Sequence, residues 1–177
     1  MGYVKDIRKE TKMVSGRWEF GAARYKAHGL LQEFVDALKE KKLLGSLCPG
    51  CGKVIVPPRR ICGRCHLLMD GRQIVSNIGT VTCFLVSPPV EKGKVTMFGM
   101  DPVAMGVLKE GEVLIPVFVR FDGSDSNLAL VLNDVNPDDA HIGMRVKVVW
   151  VEKPQGHLSD IEGVVPLDEK YRRGGKQ

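Results

Sequence analysis

The sequence predicts a mainly β protein made of a helical N-terminal extension, a small metal-binding cysteine unit and a five-stranded barrel. Two Cys-x-x-Cys pairs lie within residues 48–65, an amphipathic pattern precedes them, and five short β-rich segments follow. A chain of 177 residues with 44% hydrophobic content can bury one ordinary core, or two small cores if a metal stabilises one of them. Two compact units are therefore expected.

The first part, residues 1–44, is predicted to be an extension followed by one amphipathic helix. Residues 1–26 show no sustained period and are expected to pack on another surface. Within residues 30–44, apolar side chains recur at helical spacing: Leu30, Leu31, Phe34, Val35 and Leu38. Basic residues are expected in the last turn and Gly45 at the left-handed C-terminal cap.

The second part, residues 45–72, is predicted to be a zinc ribbon. Its two cysteine pairs allow tight turns that aim four sulfurs at one ion: Cys48, Cys51, Cys62 and Cys65. Four thiolates leave no position for water, so a single structural Zn²⁺ is expected, with iron as the less favoured metal. The alternatives are a redox-active dithiol, four unrelated thiols, or His66 in place of one thiolate.

The third part, residues 73–167, is predicted to be an oligonucleotide/oligosaccharide-binding (OB) barrel, followed by a basic tail at 168–177. Glycine, proline, asparagine and aspartate separate five candidate strands at 80–86, 113–121, 128–132, 145–151 and 161–165. A short helix within residues 136–143 is expected before the fourth strand, from Asn136 as N-cap and Pro137 at the first helical position. Five strands with a helix at this point follow the element order of an OB barrel.

Charge is distributed unevenly along the chain. Residues 1–72 contain 15 basic and 7 acidic side chains, whereas residues 73–169 contain 7 basic and 14 acidic ones. The front half is therefore suited to an anion or an acidic surface. A nucleic-acid-binding module is the alternative function, but the barrel half is acidic and aromatic residues make up only 6% of the chain. The charged N-terminus and the lack of long apolar runs predict a cytoplasmic protein without a membrane partner.

Catalysis by this chain alone is not expected. The sequence contains no nucleophile elbow, no metalloprotease helix motif and no phosphate-binding loop, and its four histidines fall in unrelated contexts. Cys83 alternates with apolar neighbours and is predicted to be a small buried hydrophobe. A small enzyme that uses Cys83 as its nucleophile is the remaining catalytic alternative.

These motifs resemble the zinc-ribbon OB-fold proteins that accompany thiolases, hydroxymethylglutaryl-CoA synthases and steroid side-chain aldolases. The resemblance spans residues 30–151. Its motifs are the cysteine frame, Pro57-Pro58-Arg59 between the knuckles, Gly79-Thr80-Val81 at the start of the barrel and Ile142-Gly143-Met144 before a later strand. Within this family, the chain resembles the small subunit of benzoylsuccinyl-CoA thiolase, through its long N-terminal extension and the Pro-Pro-Arg-Arg ribbon.

The resemblance implies a rubredoxin-like zinc ribbon and a non-catalytic subunit that binds beside a thiolase-fold catalytic dimer. In such a complex the subunit supports the partner's active site and helps to hold or channel the CoA ester. Basic side chains near the ribbon are candidates for contact with CoA phosphates or an acidic partner: Lys53, Arg59, Arg60, Arg64 and Arg72. Phe118 and Arg120, on the predicted outer face of a strand, are candidate docking residues. Ordinary solvated lysines and arginines are the alternative for the basic side chains near the ribbon.

Overall fold

The computed structural model describes residues 29–94, 101, 103–104, 106 and 108–173, and the backbone of residues 13–18 and 21–26. These residues contain one α-helix, α1 (Gly29–Lys39), and ten strands. The strands are β1 (Met13–Trp18), β2 (Gly21–Lys26), β3 (Leu43–Leu47), β4 (Val54–Ile55), β5 (Gly71–Val75), β6 (Ile78–Phe84), β7 (Pro116–Phe121), β8 (Leu128–Val131), β9 (Arg145–Trp150) and β10 (Ile161–Pro166). The mainly β fold class is confirmed. His28 and residues 174–177 of the predicted basic tail lie outside the described residues.

The five predicted barrel strands form one antiparallel sheet in the order β10-β9-β6-β7-β8. This is the OB strand order. The sheet does not close into a complete barrel, because β8 and β10 are not joined by a hydrogen-bonded ladder. Their edges meet at a parallel bridge between Leu132 and Val164, where the Asn133 N–H donates to the Val164 carbonyl at 2.8 Å. The predicted OB barrel is therefore partly open.

The sequence pattern did not predict β1, β2, β3 or β5. β3 forms the centre of a three-stranded antiparallel sheet with β4 and β5, and β1 pairs with β2 in a hairpin. β5 crosses the boundary predicted between the ribbon and the barrel at residues 72/73. All of β5 pairs with the ribbon strand β3, and its last residue, Val75, is also buried in the core. A five-residue strand with three exposed positions carries no clear alternation, which is why the pattern missed it.

Helix α1 is shorter than predicted. It ends at Lys39, and Lys41 adopts the left-handed conformation at φ 58° that the sequence had assigned to Gly45. Gly45 instead lies in the middle of β3. A Cβ atom at Gly45 would lie 2.8 Å from Val54 Cγ1 and 3.0 Å from Val56 Cγ2, so close packing requires this glycine.

A single apolar core joins the helix, the ribbon sheet and the five-stranded sheet. Phe34 and Leu38 of α1 pack with residues of both sheets, including Val56 from the ribbon and Val119 and Phe121 from β7. The β7 alternation is as predicted: its odd-numbered positions are buried, whereas Phe118 and Arg120 are exposed. Helix and ribbon therefore share their core with the barrel strands.

The expectation that Cys83 is buried is wrong. A β-bulge between Val81 and Cys83 shifts the pairing of β6 with β7, so that Cys83 lies opposite the exposed Phe118. The bulge inserts one residue and reverses the faces beyond it, which turns Cys83 towards solvent and Phe84 towards the core.

The short helix predicted within residues 136–143 is a single 3-10 turn, Pro137–Asp139. Asn136 occupies its N-cap but makes no side-chain cap hydrogen bond to the backbone; its Nδ2 donates to the Asp139 carboxylate at 3.1 Å. Gly143 has a positive φ of 93° and leads into β9. The turn contains only three residues, two of them acidic, and the chain does not continue into a longer helix.

Candidate metal centre

The ribbon contains two knuckles with the same backbone geometry. In the first, the Cys48 carbonyl accepts from the Gly52 N–H at 3.0 Å and the Cys48 N–H donates to the Lys53 carbonyl at 2.9 Å. In the second, the Cys62 carbonyl accepts from the His66 N–H at 2.9 Å and the Cys62 N–H donates to the Leu67 carbonyl at 3.0 Å. Each turn brings two thiols to one side of the chain.

The residue after each cysteine pair takes a left-handed conformation. Gly52 has φ 69° and His66 has φ 57°. Glycine adopts this conformation without steric cost, whereas histidine is one of the few other residues that tolerate it. His66 is exposed and lies outside the thiol cluster, so its place in the structure is that of a turn residue.

The four predicted ligands converge on one point. The sulfur atoms of Cys48, Cys51, Cys62 and Cys65 all lie within 4.8 Å of one another. Cys51 Sγ and Cys62 Sγ are 3.8 Å apart. A tetrahedral zinc site with Zn–S bonds of about 2.3 Å places its sulfurs roughly 3.8 Å apart, so the cluster fits one zinc ion. Cys48 and Cys62 are buried and the other two are half-buried.

The electrostatics of the thiols also favour a cation. The backbone N–H groups of Cys65 and Arg64 lower the pKa of Cys62 to about 6. The neighbouring thiol of Cys51, followed by burial, raises the pKa of Cys65 to about 12. Four thiolates at this separation repel one another, so full ionisation requires a metal ion among them. The group is suited to a closed structural centre, in which no position is left for a reacting ligand.

The ribbon is attached to the five-stranded sheet through β4 and the loop after β7. The Val54 N–H donates to the Asp125 carboxylate at 2.9 Å, and the Asp125 N–H donates to the Val54 carbonyl at 2.8 Å. The Ser126 hydroxyl accepts from the Val56 N–H at 2.7 Å and donates to the Val56 carbonyl at 2.8 Å. Asp125 and Ser126 are termed the clamp. The sequence predicted only a turn at residues 122–127, and no local pattern indicates that these two residues bind the ribbon.

A buried serine secures the ribbon from the other side. Ser46 in β3 is fully buried, and its hydroxyl accepts from the Arg59 N–H at 2.9 Å and donates to Met69 Sδ at 3.8 Å. The same contact packs Met69 against Cys48 and Cys62. Ser46 thus links the strand that enters the metal centre to both ends of the second knuckle.

The structure separates the remaining candidate residues into two groups. Arg59, Arg60 and Arg64 are exposed on the ribbon, and Lys53 is half-buried beside them. Phe118 and Arg120 lie on the outer face of β7. In the described part of the chain, no hydrogen bond or ion pair joins the two groups. Arg72 is already engaged, because it forms an ion pair with Glu33 of α1 and donates to the Asp70 carbonyl at 3.0 Å.

Residues 35–66 match the family model described as ChsH2, rubredoxin-like zinc ribbon domain. The cysteine unit is similar to a ChsH2 zinc ribbon. The match begins inside α1 and ends after the second cysteine pair, so the ChsH2-type ribbon includes all four candidate ligands. Among curated proteins, none matches the chain significantly.

Two solved structures extend the likeness beyond the ribbon to most of the chain. A protein of unknown function from the DUF35 family of Sulfolobus solfataricus is 16% identical, with a TM-score of 0.56 over 85% of this chain and 90% of that chain. A chain of an Ltp2-ChsH2(DUF35) aldolase is 17% identical, with a TM-score of 0.55 over 80% of this chain and 98% of that chain. The predicted family resemblance is thereby confirmed for the ribbon and for the fold.

Within the described residues, no helix has the length and apolar character needed to cross a bilayer.

Proposed function

We propose that this chain is a non-catalytic, zinc-binding accessory subunit of a thiolase-type acyl-CoA acyltransferase complex. It binds beside a thiolase-fold catalytic dimer, supports the partner's active site and contributes to holding or channelling the CoA ester. The substrate proposed for the complex is benzoylsuccinyl-CoA, cleaved by thiolysis in anaerobic aromatic degradation. The cytoplasm is the proposed location.

The observation that carries this proposal is the joining of a ChsH2-type ribbon to an OB-order sheet through a common core. The same combination aligns with 98% of a chain whose structure is that of an Ltp2-ChsH2(DUF35) aldolase, a complex named for two components. Fold likeness at 17% identity is an analogy for function, and it supports an accessory role in a related complex. The four-thiolate centre agrees with that role, since it offers no open metal position for catalysis.

The outer face of the sheet supplies one candidate contact surface. Phe118 stands between Cys83 of β6 and Ala129 of β8 in the strand register, and all three side chains are exposed. Arg120 lies two residues along β7 on the same face. An exposed phenylalanine with a neighbouring arginine is typical of the centre of protein interfaces.

The observations do not favour nucleic-acid binding. Among the described side chains, Phe118 is the only exposed phenylalanine, tyrosine or tryptophan, whereas strand binding by an OB sheet uses several stacking platforms. The five-stranded sheet lies in the acidic part of the sequence. Phosphate binding requires the opposite charge.

The decisive experiment is purification of the tagged full-length chain from its native host, with mass spectrometry of the associated proteins. A stoichiometric thiolase-fold chain is expected, and the complex should cleave a 3-oxoacyl-CoA ester only when the partner is present. Benzoylsuccinyl-CoA should be the preferred substrate in a panel of such esters. Recovery of nucleic acid in place of a partner would contradict the proposal.

A matched pair of variants tests the outer face. Phe118→Asp should reduce recovery of the partner, whereas Ile142→Asp, at a still more exposed apolar position in the turn before β9, should not. Equal recovery of the partner with both variants would remove Phe118 from the contact surface. Zinc content should stay at one ion per chain in each variant, which shows that the ribbon is intact.

A further inference from the structure

An exposed apolar group lies on the second knuckle of the ribbon. Ile61, Leu67 and Leu68 are 51%, 47% and 52% exposed, although they belong to the unit that is clamped at the metal centre. Ile61 and Leu68 form an antiparallel bridge, so they are neighbours across the knuckle. These three residues are termed the knuckle patch. Three large aliphatic side chains exposed together on one turn are unusual unless another surface covers them.

The knuckle patch is held rigidly. The Met69 N–H donates to the Arg60 carbonyl at 2.7 Å, and the Cys62 N–H donates to the Leu67 carbonyl at 3.0 Å. Leu67 also packs over the first knuckle, because a Cβ atom at Gly50 would lie 2.7 Å from Leu67 Cδ1. A surface whose backbone is already ordered loses little conformational entropy on binding, which favours its use as a docking point.

Charge around the knuckle patch is mostly positive. Residues 43–69 contain no aspartate or glutamate, the exposed Asp70 follows them, and three arginines flank the patch in sequence: Arg59, Arg60 and Arg64. All three are exposed, and none forms an ion pair within the described part of the chain. A zinc ion with four thiolates carries a net charge of −2 and Asp70 adds another negative charge, but the three arginines and Lys53 together still leave an excess of positive charge. Complementarity requires carboxylates on the opposing surface.

We propose that the knuckle patch is a docking site for a folded protein whose surface offers an apolar depression rimmed by carboxylates. Under the proposed function, the docked protein is the catalytic subunit. Only this identification rests on the proposed function; the docking site itself does not. The ribbon arginines then pair with carboxylates of the partner and not with CoA phosphates. Arginine suits this role because its planar fork binds a carboxylate with two hydrogen bonds.

The arrangement favours a protein over the other anionic surfaces. A phosphate group would be recognised by the arginines alone and would leave the three aliphatic side chains in water. A patch with an apolar centre and a charged rim has the composition of a protein interface, with a dry core and a polar edge. An anionic membrane surface is the competing occupant that the experiment has to exclude.

The test uses the full-length tagged chain in its native host. Leu68→Asp is the variant, and Ile142→Asp is the control because it places the same charge at an apolar site with 65% exposure. Leu68→Asp should lower the yield of the co-purified partner by about tenfold or more, as expected for a residue at the centre of an interface. Ile142→Asp should leave the yield unchanged, and both variants should retain their zinc.

A second variant tests the arginines at the edge of the knuckle patch separately from its apolar centre. Arg64→Glu should slow association with the purified partner and weaken its dependence on salt, because rim charges act mainly on the association rate. Surface plasmon resonance at low and high salt measures both quantities. Association rates equal to those of the wild-type chain at low salt would contradict the acidic rim.

The outcomes distinguish this proposal from the proposed function. If the wild-type chain and Leu68→Asp recover a thiolase-fold partner equally well, the docking site is wrong and the accessory function stands. If Leu68→Asp prevents recovery of a different stoichiometric protein, the docking site stands and the thiolase assignment is wrong. Recovery of no protein, or binding to phosphatidylserine vesicles that Leu68→Asp abolishes, would overturn the docking site.

Discussion

Val54 and Asp125 exchange two hydrogen bonds across the junction of the ribbon and the five-stranded sheet. The Val54 N–H donates to the Asp125 carboxylate at 2.9 Å, and the Asp125 N–H donates to the Val54 carbonyl at 2.8 Å. Ser126 repeats this exchange with Val56 through its hydroxyl. The loop after β7 therefore replaces a missing strand beside β4 and fixes the metal centre relative to the sheet.

Ser126→Ala should destabilise the fold. It leaves both polar backbone groups of the buried Val56 without the serine hydroxyl, at a cost of about 1 to 3 kcal/mol in the free energy of unfolding. Asn127→Ala, next to it at an exposed position, should change this free energy by less than about 0.5 kcal/mol. Urea unfolding of the zinc-loaded protein measures both. Equal midpoints for the two variants would show that the clamp contributes nothing.

Cys62→Ser should abolish stoichiometric zinc binding, because the buried Cys62 lies within the four-sulfur cluster. The folding free energy supplied by the metal is then lost, and the ribbon should unfold at a lower temperature. Cys83→Ser is the control, since Cys83 is exposed and outside the cluster. Metal analysis should give one zinc ion per chain for this control. Zinc bound normally by Cys62→Ser would contradict the ligand set.

Gly163→Ala should be strongly destabilising, by about 2 to 4 kcal/mol in the free energy of unfolding. Gly163 has φ 143°, and a Cβ atom there would lie 2.5 Å from the Val131 carbonyl oxygen, where the edges of the sheet meet. Gly29→Ala has open space around the new methyl group and an ordinary φ, so it should be neutral or slightly stabilising. Thermal denaturation of both variants checks this. A tolerated alanine at 163 would mean that the two edges do not touch.

The ion pair between Asp122 and Arg145 should make a small, pH-dependent contribution to stability. Arg145 lowers the pKa of Asp122 through hydrogen bonding, and Arg145 Nη1 also donates to Thr80 Oγ1 at 2.7 Å. Because the folded-state pKa lies below the unfolded value, the contribution is present above the ordinary aspartate pKa and disappears as the pH falls through the lowered one.

Both partners of this pair are substantially exposed, so solvent screening limits the effect to about 0.5 kcal/mol or less. Asp122→Asn should therefore lower the urea midpoint slightly at neutral pH and have no effect in strong acid. Asp125→Asn would not serve as its control, since Asp125 belongs to the clamp. Asp138→Asn, in the 3-10 turn, is the better match. A loss that persists unchanged into acid would contradict the electrostatic origin.

Local spacing explains which predictions succeeded. Two residues between cysteines restrict the chain to a tight turn whatever surrounds it, so Cys48, Cys51, Cys62 and Cys65 could be assigned to one site from the sequence. The alternation of β7 likewise predicted that Val119 is buried and Phe118 exposed. Both signals depend only on neighbours along the chain.

Predictions failed where a distant contact changed the local pattern. Alternation alone placed Cys83 inside, but the bulge against β7 turned it outward. Gly45 was predicted to cap the helix, but a glycine is needed there because Val54 and Val56 lie too close for a larger side chain. In each case the deciding atoms belong to another element, and a window of single-sequence positions does not contain them.

The sequence by itself determined the metal centre, the order of the barrel strands and the uneven charge, because these follow from composition and short-range spacing. Only the tertiary structure decided how the ribbon is attached to the five-stranded sheet and which of its side chains are exposed. The pairs Val54–Asp125 and Val56–Ser126 are separated by about 70 positions along the chain. Such contacts are set by the free energy of packing whole elements together, which local preference does not contain.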